Sequence, residues 1–274
     1  TGGTKTGKSI MKSAAKNLIP ITLELSGTNP VIVLKNANIK IAARRIVWGK
    51  FFNSGQSCVA PNHIFVEKII AEELIKELKN AIIDFYGSNP IKSPNISKLE
   101  KDQFSRTLRT LKKLIATKKI IYGGNYDKKQ SKISPTIIKL KSDKDSLLKC
   151  EVFSSLLPLL TIDNLQSVLE IIQKSPKPLS IYMFGGNSRD HKQLSNMTSS
   201  GSVCLNDVML PVLIPNLPFG GVGLSGIGRF HGETGFKNFS NQKSITYKSN
   251  FLDVKLRYPP YDRVLKFIKI FFKI

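Results

Sequence analysis

Acidic residues are scarce in this chain: 19 Asp and Glu stand against 42 Lys and Arg, a formal charge of +23. Such an excess raises nucleic-acid binding, whose footprint is a basic patch or stripe. Here the cations are scattered among Ile and Asn instead of gathered into one run with aromatic partners. They read as a solvated surface, and no specific nucleic-acid partner is expected. Cysteine is scarcer still. Cys58, Cys150 and Cys204 are an odd number with no paired spacing, which argues against a disulfide framework and a Cys-x-x-Cys metal centre. No metal site is expected, and a reducing compartment fits. Also missing are a run of eighteen apolar residues and a basic, apolar, then small-residue leader. The expectation is a cytoplasmic protein, soluble or at most peripheral to a membrane.

What is present alternates between helix and strand. Residues 9–18 have helical composition and stop at Pro20, and 21–25 alternate in and out like a strand. A short apolar run follows at 30–34. Over 39–52 a helix is expected, because Ile39, Ala42, Ala43, Ile46 and Val47 fall on one stripe. The same reasoning gives strands at 64–66, 120–122, 136–140, 180–184 and 203–206, and helices at 69–86, 99–117, 168–174 and 189–197. At 274 residues the chain can hold one large or two ordinary domains. No repeat or low-complexity linker marks a boundary.

Three segments carry chemistry. Asn53-Ser54-Gly55-Gln56-Ser57-Cys58 places a sulfur nucleophile after a glycine-containing turn, and Leu23-Glu24-Leu25 places a carboxylate at the close of an apolar strand. Together they pair a group that can attack a carbonyl with one that can activate water or the thiol, which is covalent acyl chemistry. The third segment, 216–232, has six glycines in seventeen residues with aromatics among them. It is too broken for regular structure and is expected to wrap back over an active site. A rival reading comes from Gly2 to Ser9, which fits Gly-x-x-x-x-Gly-Lys-Ser, the phosphate-cradling loop of nucleotide triphosphatases.

Read in order, four blocks resemble the aldehyde dehydrogenase superfamily: Leu23-Glu24-Leu25 with Gly27, Gly55-Gln56-Ser57-Cys58, Glu151 with Phe153, and Pro218-Phe219-Gly220-Gly221 leading to Ser225-Gly226. Arg257-Tyr258-Pro259-Pro260-Tyr261 and residues 236–240 resemble its class 3, fatty-aldehyde branch. The resemblance covers essentially the whole chain. It implies an α/β fold with a Rossmann-like catalytic domain and a bridging, oligomerisation segment. Residues 1–24 would be a remnant of the dinucleotide-binding domain and 25–210 the catalytic domain. Residues 211–274 would form the return loop, bridging segment and tail. It further implies oxidation of a medium or long aliphatic aldehyde to a carboxylate through a cysteine thiohemiacetal and thioester, with NAD or NADP as hydride acceptor and a homodimer as the assembly.

By that resemblance Cys58 is the nucleophile and Glu24 the base. Gly2, Gly3 and Gly7 lie by the dinucleotide, Glu151 and Phe153 hold the nicotinamide ribose and ring, and Phe219 lines the aldehyde entry. His231 is either a polar group lining the site in this branch or a satisfied loop residue, and it is left out of the catalytic set. The chain opens on Thr1-Gly2-Gly3 without a methionine, a point inside the family's cofactor domain, so it looks like the second half of an enzyme and is expected to be inactive by itself. The alternative is a catalytically dead remnant, since Ser26 and Thr28 and the pair Ser154-Ser155 depart from the pattern. A left-handed backbone at Ser26 would add strain of about 1 kcal/mol or more. At the C-terminus Lys266, Lys269 and Lys273 recur on one face opposite Leu265, Ile268 and Phe272. A basic amphipathic helix over 264–274 is expected there, packed on protein or lying on an anionic membrane.

Overall fold

The computed structural model describes residues 1–253, 255–261, 264–266 and 270. In chain order its elements are α1 (Thr4–Ala15), β1 (Leu23–Glu24), β2 (Pro30–Val33), α2 (Ile39–Phe51), β3 (His63–Glu67), α3 (Ala71–Tyr86) and α4 (Lys101–Ala116). Then come β4 (Ile120–Tyr122), β5 (Tyr126–Asp127), β6 (Lys132–Ile133), β7 (Thr136–Lys139), β8 (Leu156–Ile162) and α5 (Leu165–Gln173). The series closes with β9 (Ser180–Phe184), α6 (Ser188–Met197), β10 (Ser202–Leu205), α7 (Leu210–Leu213), β11 (Gly226–Ile227) and α8 (Gly232–Asn238).

Seven strands form one sheet in the order β10-β9-β2-β3-β8-β7-β4. All its pairings are parallel except β4 with β7. This is the expected α/β architecture. Alternate residues of each strand feed two separate cores. Val31, Ile64, Val66 and Leu159 pack with Ile46, Leu74 and Leu78 of α2 and α3, whereas Ile32, Phe65 and Leu160 pack with Leu111, Leu169 and Leu194 of α4, α5 and α6.

The largest correction to the sequence reading is β8, a buried strand between β3 and β7 that no expectation covered. Pro158 hides it, because proline lacks the N–H a central strand needs. The structure shows why it is tolerated. Thr136 N–H donates to Ser155 O and Leu140 N–H to Leu159 O, so those alternate residues serve β7 and Pro158 faces β3. Pairing with β3 begins only at Ile64 with Leu159, so the missing donor falls at the end of that ladder. Leu159 itself is 0% exposed. Leu159→Ala should destabilise the protein by about 2–5 kcal/mol, read as a lower denaturant midpoint with an unchanged slope.

By contact, residues Thr1–Phe239 form one compact unit and Ser240–Ile274 a second. Among its described residues the second contains a 3-10 turn at Lys255–Arg257 and a local cluster in which Asp253 accepts from the Tyr258 hydroxyl at 3.1 Å. Residues 264–266 are helical, but most of the amphipathic helix expected over 264–274 lies outside the described residues. Among the described residues no helix is long and apolar enough to cross a membrane.

Candidate active site

The Cys58 turn is built by the end of α2. Asn38 caps that helix by accepting from Ile41 N–H at 3.1 Å, and its apolar stripe faces the core. Beyond Phe51 the backbone passes through three successive left-handed residues, Asn53 (φ 46°), Ser54 (φ 56°) and Gly55 (φ 79°). Two of them are not glycine, a strain that persists only where the surroundings over-determine it. Here they do. Ser54 Oγ donates to Ser97 O at 2.7 Å, Ser155 Oγ donates to Ser54 O at 3.3 Å, and Gln56 Nε2 donates to both Asn53 O and Lys98 O at 3.1 Å. Gln56 Oε1 accepts from Glu100 N–H at 3.1 Å. Gly55 is obligatory, since a Cβ there would lie 2.4 Å from Ser154 O.

Glu24 reaches the same place from β1. The glycine-rich segment contains the short strand β11, where fully irregular structure was expected. It pairs antiparallel with β1, Glu24 opposite Gly226 and Leu23 opposite Ile227. Gly226 has φ 152°, and a Cβ on it would sit 2.4 Å from Leu23 O. Leu25 N–H adds a bond to Ser225 O at 3.1 Å. The segment thus folds against the strand that bears the candidate base.

Cys58, Glu24, Glu151 and Phe153 line one cleft of about 910 Å³, together with Gly2, Gly3 and, from α4, Gln103 and Arg106. Burial pushes the Cys58 thiol up to about 12, helped by the adjoining Glu24 carboxylate and then by Glu151. Burial also raises Glu151, opposed by the Gly27 N–H at 3.1 Å and by Ser26. Lys50, 1% exposed, is brought down to about 7 by burial, against the pull of Glu151. Glu24 is 4% exposed, and its Oε1 has no hydrogen-bond partner among the described residues. A buried carboxylate oxygen facing a cleft without a protein donor is suited to accept a proton or a hydrogen bond from what enters.

The residues also fit a dinucleotide. Gly3 is the N-cap of α1 and makes no side-chain cap, so the first N–H groups of a 12-residue helix open at the cleft rim. Gly2 N–H is tied to Glu24 O at 3.0 Å, and a Cβ on Gly3 would meet nothing within 4 Å.

The profile of the aldehyde dehydrogenase family matches residues 1–245. The chain belongs to the aldehyde dehydrogenase family. The 4,4'-diaponeurosporen-aldehyde dehydrogenase of Staphylococcus aureus (strain NCTC 8325 / PS 47) is 38% identical over 273 residues, 100% of this chain and 59% of that protein. Aldehyde dehydrogenase family 3 member H1 of Arabidopsis thaliana is 41% identical over 266 residues, covering 96% of this chain and 55% of its own length. The solved structure described as the substrate-bound state of Staphylococcus aureus AldH superposes with a TM-score of 0.92 at 37% identity, over 99% of this chain and 59% of that one. The chain therefore spans less than two thirds of the length of these relatives.

Within this aldehyde dehydrogenase chain, two of the expected site residues lie off the cleft. Gly7 is buried on α1, where a Cβ would meet Leu25 Cδ2 at 2.7 Å, so it serves helix packing. Phe219 is 2% exposed and packs edge-on to Phe230 and stacked on His231. His231, open between a site-lining group and a satisfied loop residue, has φ 79°, and its Nδ1 is buried without a partner among the described residues. The triphosphatase reading does not fit, because α1 begins at Thr4 and the residues that would form a phosphate loop are already helical. Ser26 is not among the positive-φ residues, so the strain expected there is absent. Ser155 has found a partner in Ser54, whereas the Ser154 hydroxyl is buried without one among the described residues. Gln103 and Arg106 escaped the sequence reading because α4 shows only an amphipathic, Lys-rich pattern. Nothing in that pattern marks the face that meets the cleft.

Proposed function

We propose that a full-length enzyme carrying this chain oxidises medium and long aliphatic aldehydes to carboxylates, using NAD or NADP. The observation that carries the reading is the meeting of Cys58 and Glu24, from segments 34 positions apart, in one cleft with Glu151 and Phe153. The S. aureus relative's name supports an aldehyde as substrate.

In this reading the Cys58 sulfur bonds to the carbonyl carbon as its proton is released to water, which leaves Glu24 unprotonated for the later step. The backbone N–H of Cys58 donates to the oxygen of the thiohemiacetal. Glu151, by accepting hydrogen bonds, and Phe153, as an apolar wall, would hold a nicotinamide cofactor, which when bound would supply the hydride acceptor needed to take this adduct to a thioester. Glu24 then takes a proton from water, whose oxygen attacks the thioester carbon. The carbon–sulfur bond breaks, the carboxylate leaves and the thiol is restored.

The test is steady-state reduction of NAD and of NADP with aldehydes of increasing chain length. Each methylene taken out of water contributes up to about 0.8 kcal/mol, or about fourfold in kcat/KM, until the pocket is filled. A rise from ethanal to dodecanal is expected. Absence of aldehyde-dependent cofactor reduction would overturn the reading.

A further inference from the structure

Two buried asparagines, Asn29 and Asn62, brace the candidate site from behind, and no catalytic pattern includes them. Asn62 is 2% exposed, and its side chain grips the backbone on both sides of Glu151. Its Nδ2 donates to Cys150 O at 3.1 Å and its Oδ1 accepts from Val152 N–H at 2.8 Å. The second amide proton is directed at His63 Nδ1, 3.1 Å away. Both protons and the oxygen of the amide are therefore used. Burial keeps His63 neutral, its pKa lowered to about 3, so Nδ1 is free to accept.

Asn29 is 0% exposed and does the same for the nucleophile. Its Nδ2 donates to Cys58 O at 2.7 Å and to Ala60 O at 3.0 Å, and its Oδ1 accepts from Ser180 N–H at 2.9 Å. The two braces are joined, because Asn62 N–H donates to Asn29 O at 2.8 Å. A buried amide with both protons and its oxygen engaged fixes geometry, since a displacement leaves a buried polar group unpaired.

We propose that Asn62 is a positioning residue that holds the Glu151 carboxylate at a set place relative to Cys58, with Asn29 as the link between the two. Asn62 touches neither reacting atom and acts through the 150–152 backbone. The inference rests on the reading of Glu151 as a cofactor ligand.

The experiment compares Asn62→Ala, Asn29→Ala and Glu151→Gln in a full-length enzyme carrying this chain. Asn62→Ala should raise the KM for NAD or NADP by roughly tenfold or more, since small misplacements of a positioned group cost up to about 10²-fold. It should change the rate at which iodoacetamide alkylates Cys58 in the cofactor-free enzyme by less than the change in cofactor KM, since Glu151 is the smallest of the groups that raise the thiol. Asn29→Ala should show the converse split, a changed alkylation rate with a smaller change in cofactor KM. A readout independent of turnover is hydrogen exchange at the Val152 amide, which should lose protection in Asn62→Ala. Should that variant fail to fold, Asn62→Asp keeps the acceptor for Val152 N–H while losing the donor to Cys150 O, and an intermediate KM is expected.

An unchanged cofactor KM in Asn62→Ala, with Glu151→Gln impaired, would overturn the positioning role and leave the Glu151 reading standing. If Glu151→Gln itself leaves the cofactor KM unchanged, the Glu151 reading falls and the inference with it. Equal losses of cofactor affinity and thiol reactivity in Asn62→Ala would mean general loosening, and would also overturn it.

Discussion

Glu24→Gln, in a full-length enzyme carrying this chain, is expected to release one burst of reduced cofactor per active site and then to turn over slowly, by roughly 10²-fold or more. The reason lies in the order of steps. Sulfur attack and oxidation need the thiol, the carbonyl and the cofactor, whereas hydrolysis of the thioester needs a base beside the acyl carbon. Glutamine fills the same volume in β1 and leaves the pairing with β11 intact, because that pairing is made by backbone groups. The substitution also removes one of the two carboxylates that raise the thiol pKa, so the pH profile for alkylation of Cys58 should move to lower pH. In the unsubstituted protein the alkylation rate should keep climbing with pH toward about 12, because the thiolate is the reactive form. Stopped-flow absorbance separates burst from steady state. A steady rate equal to that of the parent would remove Glu24 from the mechanism.

Cys58→Ala is expected to abolish the burst as well as the turnover, with a fall of at least about 10⁴-fold in kcat, as when a covalent nucleophile is deleted. Acid quenching followed by mass spectrometry should place the acyl adduct of the parent enzyme on Cys58. The control is not trivial, because Cys150 lines the same cleft. Its thiol donates to Ser146 O at 3.2 Å, and burial, then Asp145 and Glu151, raise its pKa. Cys204 is buried in β10 and lies off the cleft. Adduct on Cys150 in place of Cys58 would reassign the nucleophile to the neighbour of Glu151.

Helices with one apolar stripe were legible from the sequence, because their periodicity and their burial have the same cause. The stripe of α2, with Ile46 and Val47 fully buried, is an example. The strands 120–122 and 180–184 came out with their observed bounds, both closed by paired glycines. Strand β8 was not legible, because Pro158 argues against a central strand unless the register of its neighbours is known. The start of α1 was missed because Thr4 to Gly7 carries no apolar period, and the residue buried there is Gly7, a weak helix former that sits against Leu25. Within the site, Cys58 and Glu24 were recognisable by residue type and motif. The asparagine braces were not, since Asn62 bonds to backbone about ninety residues away, and no local spacing records such a contact. Phe219 shows the converse: a motif position can be right in sequence while the side chain turns inward to Phe230 and His231.

The pairing of β1 with β11 has a consequence for how the protein is made. Glu24 is held in register by Gly226, about two hundred residues further along the chain, whereas Cys58 and its turn are translated well before Gly226. At about 5–20 residues per second, a nascent chain therefore spends roughly 8–34 s between making Cys58 and making Gly226, with its thiol synthesised and its carboxylate not yet anchored. During that interval Glu24 has no strand partner to fix its place. That placement arrives nearly all at once, when the glycine-rich strand emerges and closes the long loop.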